Sequence, residues 1–237
     1  LLGAAARGQV LTAGASLFMV ALAASSLSLS AWSPMGIGWI GIYTPLMIFS
    51  YAAMVVMLYK FEKKERVDIL IADSGMAYGD ISLRRAWVIF GISAVFIIAG
   101  GIWLAFIGKE IAEVTGWGQS FVGSLFLAFT TTLPEVTVGL AALRIGAVDI
   151  IVGDTFGSNL FNMLVIAIDD LFYTKGPVLA AVSPNHIYPA LVVMLLTGIS
   201  IGALVSPPLK KRAGLNWYIV TVIAIFMAIT YVNFNLG

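Results

Sequence analysis

The chain has 237 residues, of which 60% are hydrophobic and 11% charged, with a formal net charge of +1 and no cysteine. A soluble domain carries about 25% charged residues, so this composition excludes an ordinary water-soluble protein. Near-neutral charge offers no electrostatic footprint for nucleic acid, and without cysteine there are no disulfides, thiolate nucleophiles or cysteine-based metal sites.

Apolar runs of the ~20 residues needed to cross about 30 Å of hydrocarbon recur along the chain, whose mean hydropathy is +1.01. They are too continuous for barrel strands, which alternate in polarity over about ten residues. The pattern predicts an all-α, polytopic helical membrane protein. Seven spans are expected, at about Val10–Trp32, Ile37–Tyr59, Ala86–Gly108, Gln119–Leu143, Ile150–Tyr173, Ile187–Val205 and Leu215–Phe234. Residues 1–59 hold two spans and residues 86–237 hold five. Between them, residues 60–85 contain five acids and six bases and read as a cytoplasmic loop with at most one short amphipathic helix.

With that loop inside, Arg7, Lys60, Lys63, Lys64, Arg66, Arg84, Arg85, Arg144, Lys210, Lys211 and Arg212 all fall on the cytoplasmic side. Only Lys109 and Lys175 fall outside. This positive-inside bias puts the N-terminus of the chain in the cytoplasm and its C-terminus outside. Trp32, Trp39, Trp87, Trp103, Trp117 and Trp217 lie near span ends, as interfacial anchors do. The chain starts at Leu1 with no recognisable signal peptide, which suggests a processed N-terminus or a piece of something longer. Ser33-Pro34 and Ser206-Pro207 each close a span and precede a Trp-anchored one, in spans of opposite sense. That echo is the pattern of an inverted repeat.

The fourth span carries Thr130-Thr131-Thr132-Leu133-Pro134-Glu135. A carboxylate at mid-membrane costs at least about 2.5–3.5 kcal/mol and therefore faces a cavity, a partner charge or a cation. No basic residue lies in any span interior to pair with Glu135. Pro134 removes a backbone donor, which frees the carbonyl of Thr130 and kinks the helix. Freed carbonyls at membrane depth are tolerated where they line a cavity or meet an ion. With the hydroxyls of Thr131 and Thr132, the donor set is all oxygen and suits hard cations.

The fifth span carries Gly153-Asp154-Thr155-Phe156-Gly157-Ser158-Asn159-Leu160-Phe161-Asn162. Asp154, Ser158 and Asn162 recur every fourth residue and share one helical face. Gly153 and Gly157 are spaced to admit another backbone. Interhelical hydrogen bonding would account for the serine and asparagines, but an amide would serve that purpose without the charge of Asp154.

Together the two segments resemble the alpha-repeat of the sodium/calcium exchanger superfamily of cation/calcium antiporters, in its prokaryotic type. The resemblance is close over about 119–173 and extends elsewhere only to topology. It implies a secondary transporter that exchanges Ca2+ or a related divalent cation for Na+ by alternating access, with no nucleotide and no cofactor. By the same resemblance Glu135, Thr131, Thr132, Ser158, Asp154, Asn159 and Asn162 surround the ion, and Ala128 contributes its carbonyl. Asp154 stands where the family motif has asparagine, which adds a carboxylate and opens proton coupling as the alternative. Only the second repeat is visible. A ten-helix inverted-repeat fold is therefore expected with its first repeat missing, or completed by a second subunit. The membrane expected is the prokaryotic inner (plasma) membrane, and the partners are lipid and inorganic cations.

Asp149 reads as an ordinary acid at a helix start, Asp169 and Asp170 as solvated residues near the outer surface, and His186 as a boundary residue. A seven-helix receptor or retinal protein is disfavoured because Lys60, Lys109 and Lys175 all lie at span ends. An intramembrane enzyme is disfavoured because the only histidine is peripheral.

Overall fold

The computed structural model describes residues 4–33, 35–70, 82–116, 128–144, 146–206 and 217–236. Helix α1 (Ala4–Trp32) leads into a small hairpin, β1 (Gly36–Ile37) and β2 (Ile40–Gly41), and then into α2 (Tyr43–Leu70). Next come α3 (Leu83–Thr115), α4 (Ala128–Arg144), α5 (Val148–Phe172) and the short α6 (Val178–Ala181). A 3-10 turn (Pro184–His186), α7 (Ile187–Val205) and α8 (Trp217–Leu236) complete the chain.

Each expected span overlaps a helix among the described residues, and the sixth has the expected limits. By length and composition, however, five of the helices can cross a membrane, within Arg7–Trp32, Tyr43–Lys63, Leu83–Thr115, Asp149–Phe172 and Pro184–Val205. Seven spans are expected, and five are found among the described residues. The fourth span falls short because residues 119–127 of it lie outside the described residues, leaving 17 in α4. Residues 215–216 of the last span, Trp117, and both echo prolines, Pro34 and Pro207, also lie outside them. In the polar segment after the second span, α2 continues as helix to Leu70.

The chain divides into two compact units, Leu1–Arg66 with Glu135–Ile229, and Val67–Pro134 with Thr230–Gly237. In the first, α1 is the central post, packed against α5, α6, α7 and the 3-10 turn. Its contact face is rich in small residues, including the buried Ala13, Ala15, Ser16, Ala23 and Ala24, which let neighbouring backbones approach. Met19 and Met47 fill the core completely, with Leu27, Tyr43, Leu160, Ala167 and Leu179 around them.

The ends of the helices fix their sense. Gln9, near the start of α1, donates from Nε2 to Oδ1 of Asp149, near the start of α5, at 2.7 Å. At the far end the hairpin that follows α1 meets the end of α5, where Nε1 of Trp39 donates to the carbonyl of Leu171 at 3.3 Å. So α1 and α5 run parallel. The hairpin pairs Gly36 with Gly41 and Ile37 with Ile40. Gly38 sits at φ 67 and, among the described residues, no non-glycine residue has positive φ, which makes its two-residue turn type II′.

One expectation fails at this end. Asp170 is fully buried rather than solvated. It accepts four hydrogen bonds, from Gly41 N (2.7 Å), Tyr43 Oη (2.7 Å), Thr44 Oγ1 (2.5 Å) and Val178 N (2.6 Å). Tyr43 Oη in turn accepts from Leu179 N at 3.0 Å. A buried carboxylate is tolerated when its lone pairs are met in this way. Its neighbour Asp169 is exposed, as expected.

In the second unit, α3 begins at Ser82, whose side chain accepts from Arg85 N at 3.3 Å, and ends at Gly116 with φ 68. Val95, Phe96, Ile97, Trp103 and Phe106 are each exposed. A helix apolar on all sides and left bare of protein is stable only where lipid is the solvent. The chain is an integral membrane protein.

Candidate functional site

Helix α4 runs through Pro134 without ending there. The proline ring supplies no N–H to Thr130, so that carbonyl lacks its usual helical donor. Glu135 follows at once and is half-buried. Its Oε2 is buried with no hydrogen-bond partner among the described residues. An unsatisfied carboxylate oxygen is a costly thing to build into a membrane helix.

The partner helix is α5. A Cβ on Gly139, one turn after Glu135, would touch Cγ2 of Ile151 at 3.8 Å, so the two helices meet along that line. One turn further along α5 from Ile151 is Asp154. Its carboxylate lies within electrostatic reach of Glu135, and the two charges repel. The two acids thus lie within electrostatic range of each other, and the one basic residue of α4 and α5 is Arg144, in the last turn of α4. A cation bound between them would remove the repulsion and satisfy the orphaned oxygen.

The other expected residues distribute as follows. Ser158 and Asn159 are half-buried and Asn162 is exposed, all on α5. Asp154, Ser158 and Asn162 form one stripe at four-residue spacing. The buried seam of α5, Phe156, Leu160 and Ala167, lies two residues out of phase with them and hence on the opposite side of the helix. The core-facing side of α5 is therefore apolar and the stripe faces away from α1. Thr131 and Thr132, both exposed, sit four and three residues before Glu135 on α4, which puts them on its face. Ala128 is the first residue of α4. Thr155, flanking the stripe, turns its hydroxyl back to the carbonyl of Ile151 at 2.8 Å.

Among the described residues no three of His, Cys, Asp and Glu gather to hold a metal. Any cation here would draw on the two carboxylates plus neutral oxygens. His186 lies apart, with Asp169, on the lining of an otherwise apolar cavity of about 380 Å³ bounded by α1, α5, α6 and α7. The residues missed by sequence reasoning are Gln9 and Asp170, whose partners lie on other helices. A signal was available: Asp149, Phe156, Met163 and Asp170 fall every seven residues, an apolar seam with an acid at each end.

Comparison with known proteins follows the same residues. A family model described as "Sodium/calcium exchanger protein" matches residues 85–236. CaxA of Alkalimonas amylolytica, provisionally named an antiporter, is 26% identical over 121 residues, 50% of this chain and 37% of that protein. The sodium/calcium exchanger MaX1 of Methanosarcina acetivorans is 31% identical over 83 residues, 35% of this chain and 24% of its own length. The inner membrane protein YrbG of Escherichia coli is 28% identical over 103 residues, 44% and 30% of the two chains. The matched stretch thus spans well under half of each of these relatives. No solved structure matches the chain.

Proposed function

Because the chain belongs to the sodium/calcium exchanger family, whose model matches it across residues 85–236, we propose that it takes part in antiport of Ca2+, or a related divalent cation, against Na+. The family is one of transporters rather than enzymes. The observation that carries the reading is the buried, unpartnered Oε2 of Glu135, on a helix that meets α5 at Gly139 and Ile151. Glu135 binds the two cations in turn. Asp154, Ser158, Asn159 and Asn162 supply oxygens from α5; the family resemblance alone adds Thr131, Thr132 and the Ala128 carbonyl, which belong to the other compact unit. Ca2+ takes about six to eight oxygens, so a second repeat, on the same polypeptide or another subunit, completes the shell. Access alternates between the two sides of a prokaryotic plasma membrane, with the start of α1 inside.

One observation favours a second reading. Asp154 places a second carboxyl group where the family motif carries an uncharged amide, and a carboxyl group can carry a proton in place of Na+ as the counter-ion. Uptake of radioactive Ca2+ into vesicles distinguishes the two, using the chain with any native flanking sequence. Uptake driven by an outward Na+ gradient and abolished by Glu135→Gln fits the first reading. Uptake driven only by a pH gradient fits the second, and uptake equal in wild type and Glu135→Gln refutes both.

A further inference from the structure

The stripe that faces the cation occupies the middle of α5, and both ends of that helix are tied down by hydrogen bonds that the transport reading does not use. At one end Gln9 Nε2 reaches Asp149 twice, at Oδ1 (2.7 Å) and at the backbone carbonyl (3.3 Å). At the other, Asp170 gathers the four donors of Gly41, Tyr43, Thr44 and Val178, which belong to the hairpin, α2 and α6. The two acids lie on one side of the helix, that of the buried Phe156, at the limits of the seven-residue series 149–156–163–170, with Asp170 buried and Asp149 exposed. The stripe occupies the reverse side. Asp170 is two turns, about 12 Å, from Asn162, and Asp149 is little more than one turn from Asp154.

We infer that Asp170 is a positioning residue for the cation site: with the Gln9–Asp149 bond it fixes the rotation and axial register of α5, and so sets where Asp154, Ser158 and Asn162 present their oxygens. An apolar seam alone cannot do this. Its side chains specify no unique register, and within a membrane the helix gains nothing from hydrophobic burial that lipid does not also offer. Directional bonds at both ends supply what is lacking. Since a ligand oxygen displaced by a fraction of an ångström binds a cation poorly, register translates into affinity. The inference rests on the reading of Glu135 and the stripe as the cation site.

The test uses a single hydroxyl. Thr44→Val removes one donor to Asp170 while keeping shape, and Thr44→Ser keeps the donor. Apparent KM for Ca2+ and maximal uptake per folded protein are measured in vesicles, with hydrogen exchange along α5 in the same samples. Expected are a KM raised about five- to tenfold in Thr44→Val, a maximal rate within about twofold, a KM near wild type in Thr44→Ser, and faster exchange in the last turns of α5. A merely structural role lowers the amount of folded protein without moving KM. A Thr44→Val KM within about twofold of wild type overturns the inference. Should that variant not fold, Gln9→Leu at the opposite end is read by the same criterion. If the wild type carries no Ca2+, or Glu135→Gln carries it equally well, the transport reading is what has failed. Hydrogen exchange still decides the clamp in that case, and unchanged exchange overturns it.

Discussion

Asp169 and Asp170 are adjacent in sequence and opposite in environment, which makes them a paired measurement of what the outer cluster contributes to stability. In Asp170→Ala the four donors lose their acceptor at once. The hydroxyls of Tyr43 and Thr44 can rotate toward other acceptors, but the backbone N–H groups of Gly41 and Val178 cannot. Each donor left buried and unpaired costs about 1–3 kcal/mol. The two immobile ones alone therefore give about 2–6 kcal/mol, in line with the roughly 3–5 kcal/mol lost when a buried charged pair is broken. Asp169 is exposed and accepts no side-chain bond that would be lost, so Asp169→Ala should lie within about 0.5 kcal/mol of wild type. For a chain of this size about 4 kcal/mol corresponds to a fall in Tm of roughly 8–16 °C. Thermal unfolding of the purified protein in detergent, read as the fraction surviving size exclusion, measures both variants. Equal shifts for the two aspartates, or a fall below about 3 °C for Asp170→Ala, would refute the view that this carboxylate holds the hairpin, α2 and α6 to α5.

Other outcomes follow from the same contacts. A Cβ on Gly41 would collide with the ring of Tyr43, which is held by Asp170 and Leu179. Gly41→Ala should therefore cost about 1–3 kcal/mol by overpacking, visible in the same unfolding assay. Asp154→Asn keeps a side-chain oxygen on the stripe but removes the second carboxylate, and should raise the apparent KM for Ca2+ about tenfold or more while leaving a Na+- or H+-driven signal detectable. An unchanged KM would take Asp154 out of the site. Phe156→Ala opens a hole in the buried seam of α5 and should lower stability by about 3–5 kcal/mol, whereas Phe161→Ala, at an exposed position, should barely register by the same measurement.

The membrane helices were legible because hydropathy reports the solvent along the chain directly. Glu135 and the stripe were legible for the complementary reason: each is a polar residue where the solvent is lipid, and its cost demands a purpose. Asp170 was not, since an acid at the last turn of a span looks cheap when the chain is read alone. Its burial is created by residues more than a hundred positions away, Gly41, Tyr43 and Thr44. No local period announces such a contact, although the seven-residue recurrence from Asp149 to Asp170 does put Asp170 on the same side of α5 as the buried Phe156.

The helix α2 shows the converse. Its apolar, membrane-length part ends at Lys63, yet the helix runs to Leu70. Hydropathy marks where lipid stops, whereas a helix stops where its backbone loses a reason to continue. Beyond Lys60 the sequence runs Glu62, Lys63, Lys64, Glu65 and Arg66, good helix formers with Glu62 and Arg66 of opposite charge four residues apart and no proline or glycine before Gly75. Charge density in that segment describes its exposure to water and leaves its backbone free to remain helical. The same separation of solvent from backbone explains α4, where a proline and a glutamate sit inside one continuous helix: the lipid environment penalises the side chain, the helix tolerates the missing donor, and the resulting unpaired oxygens are what a cation can use.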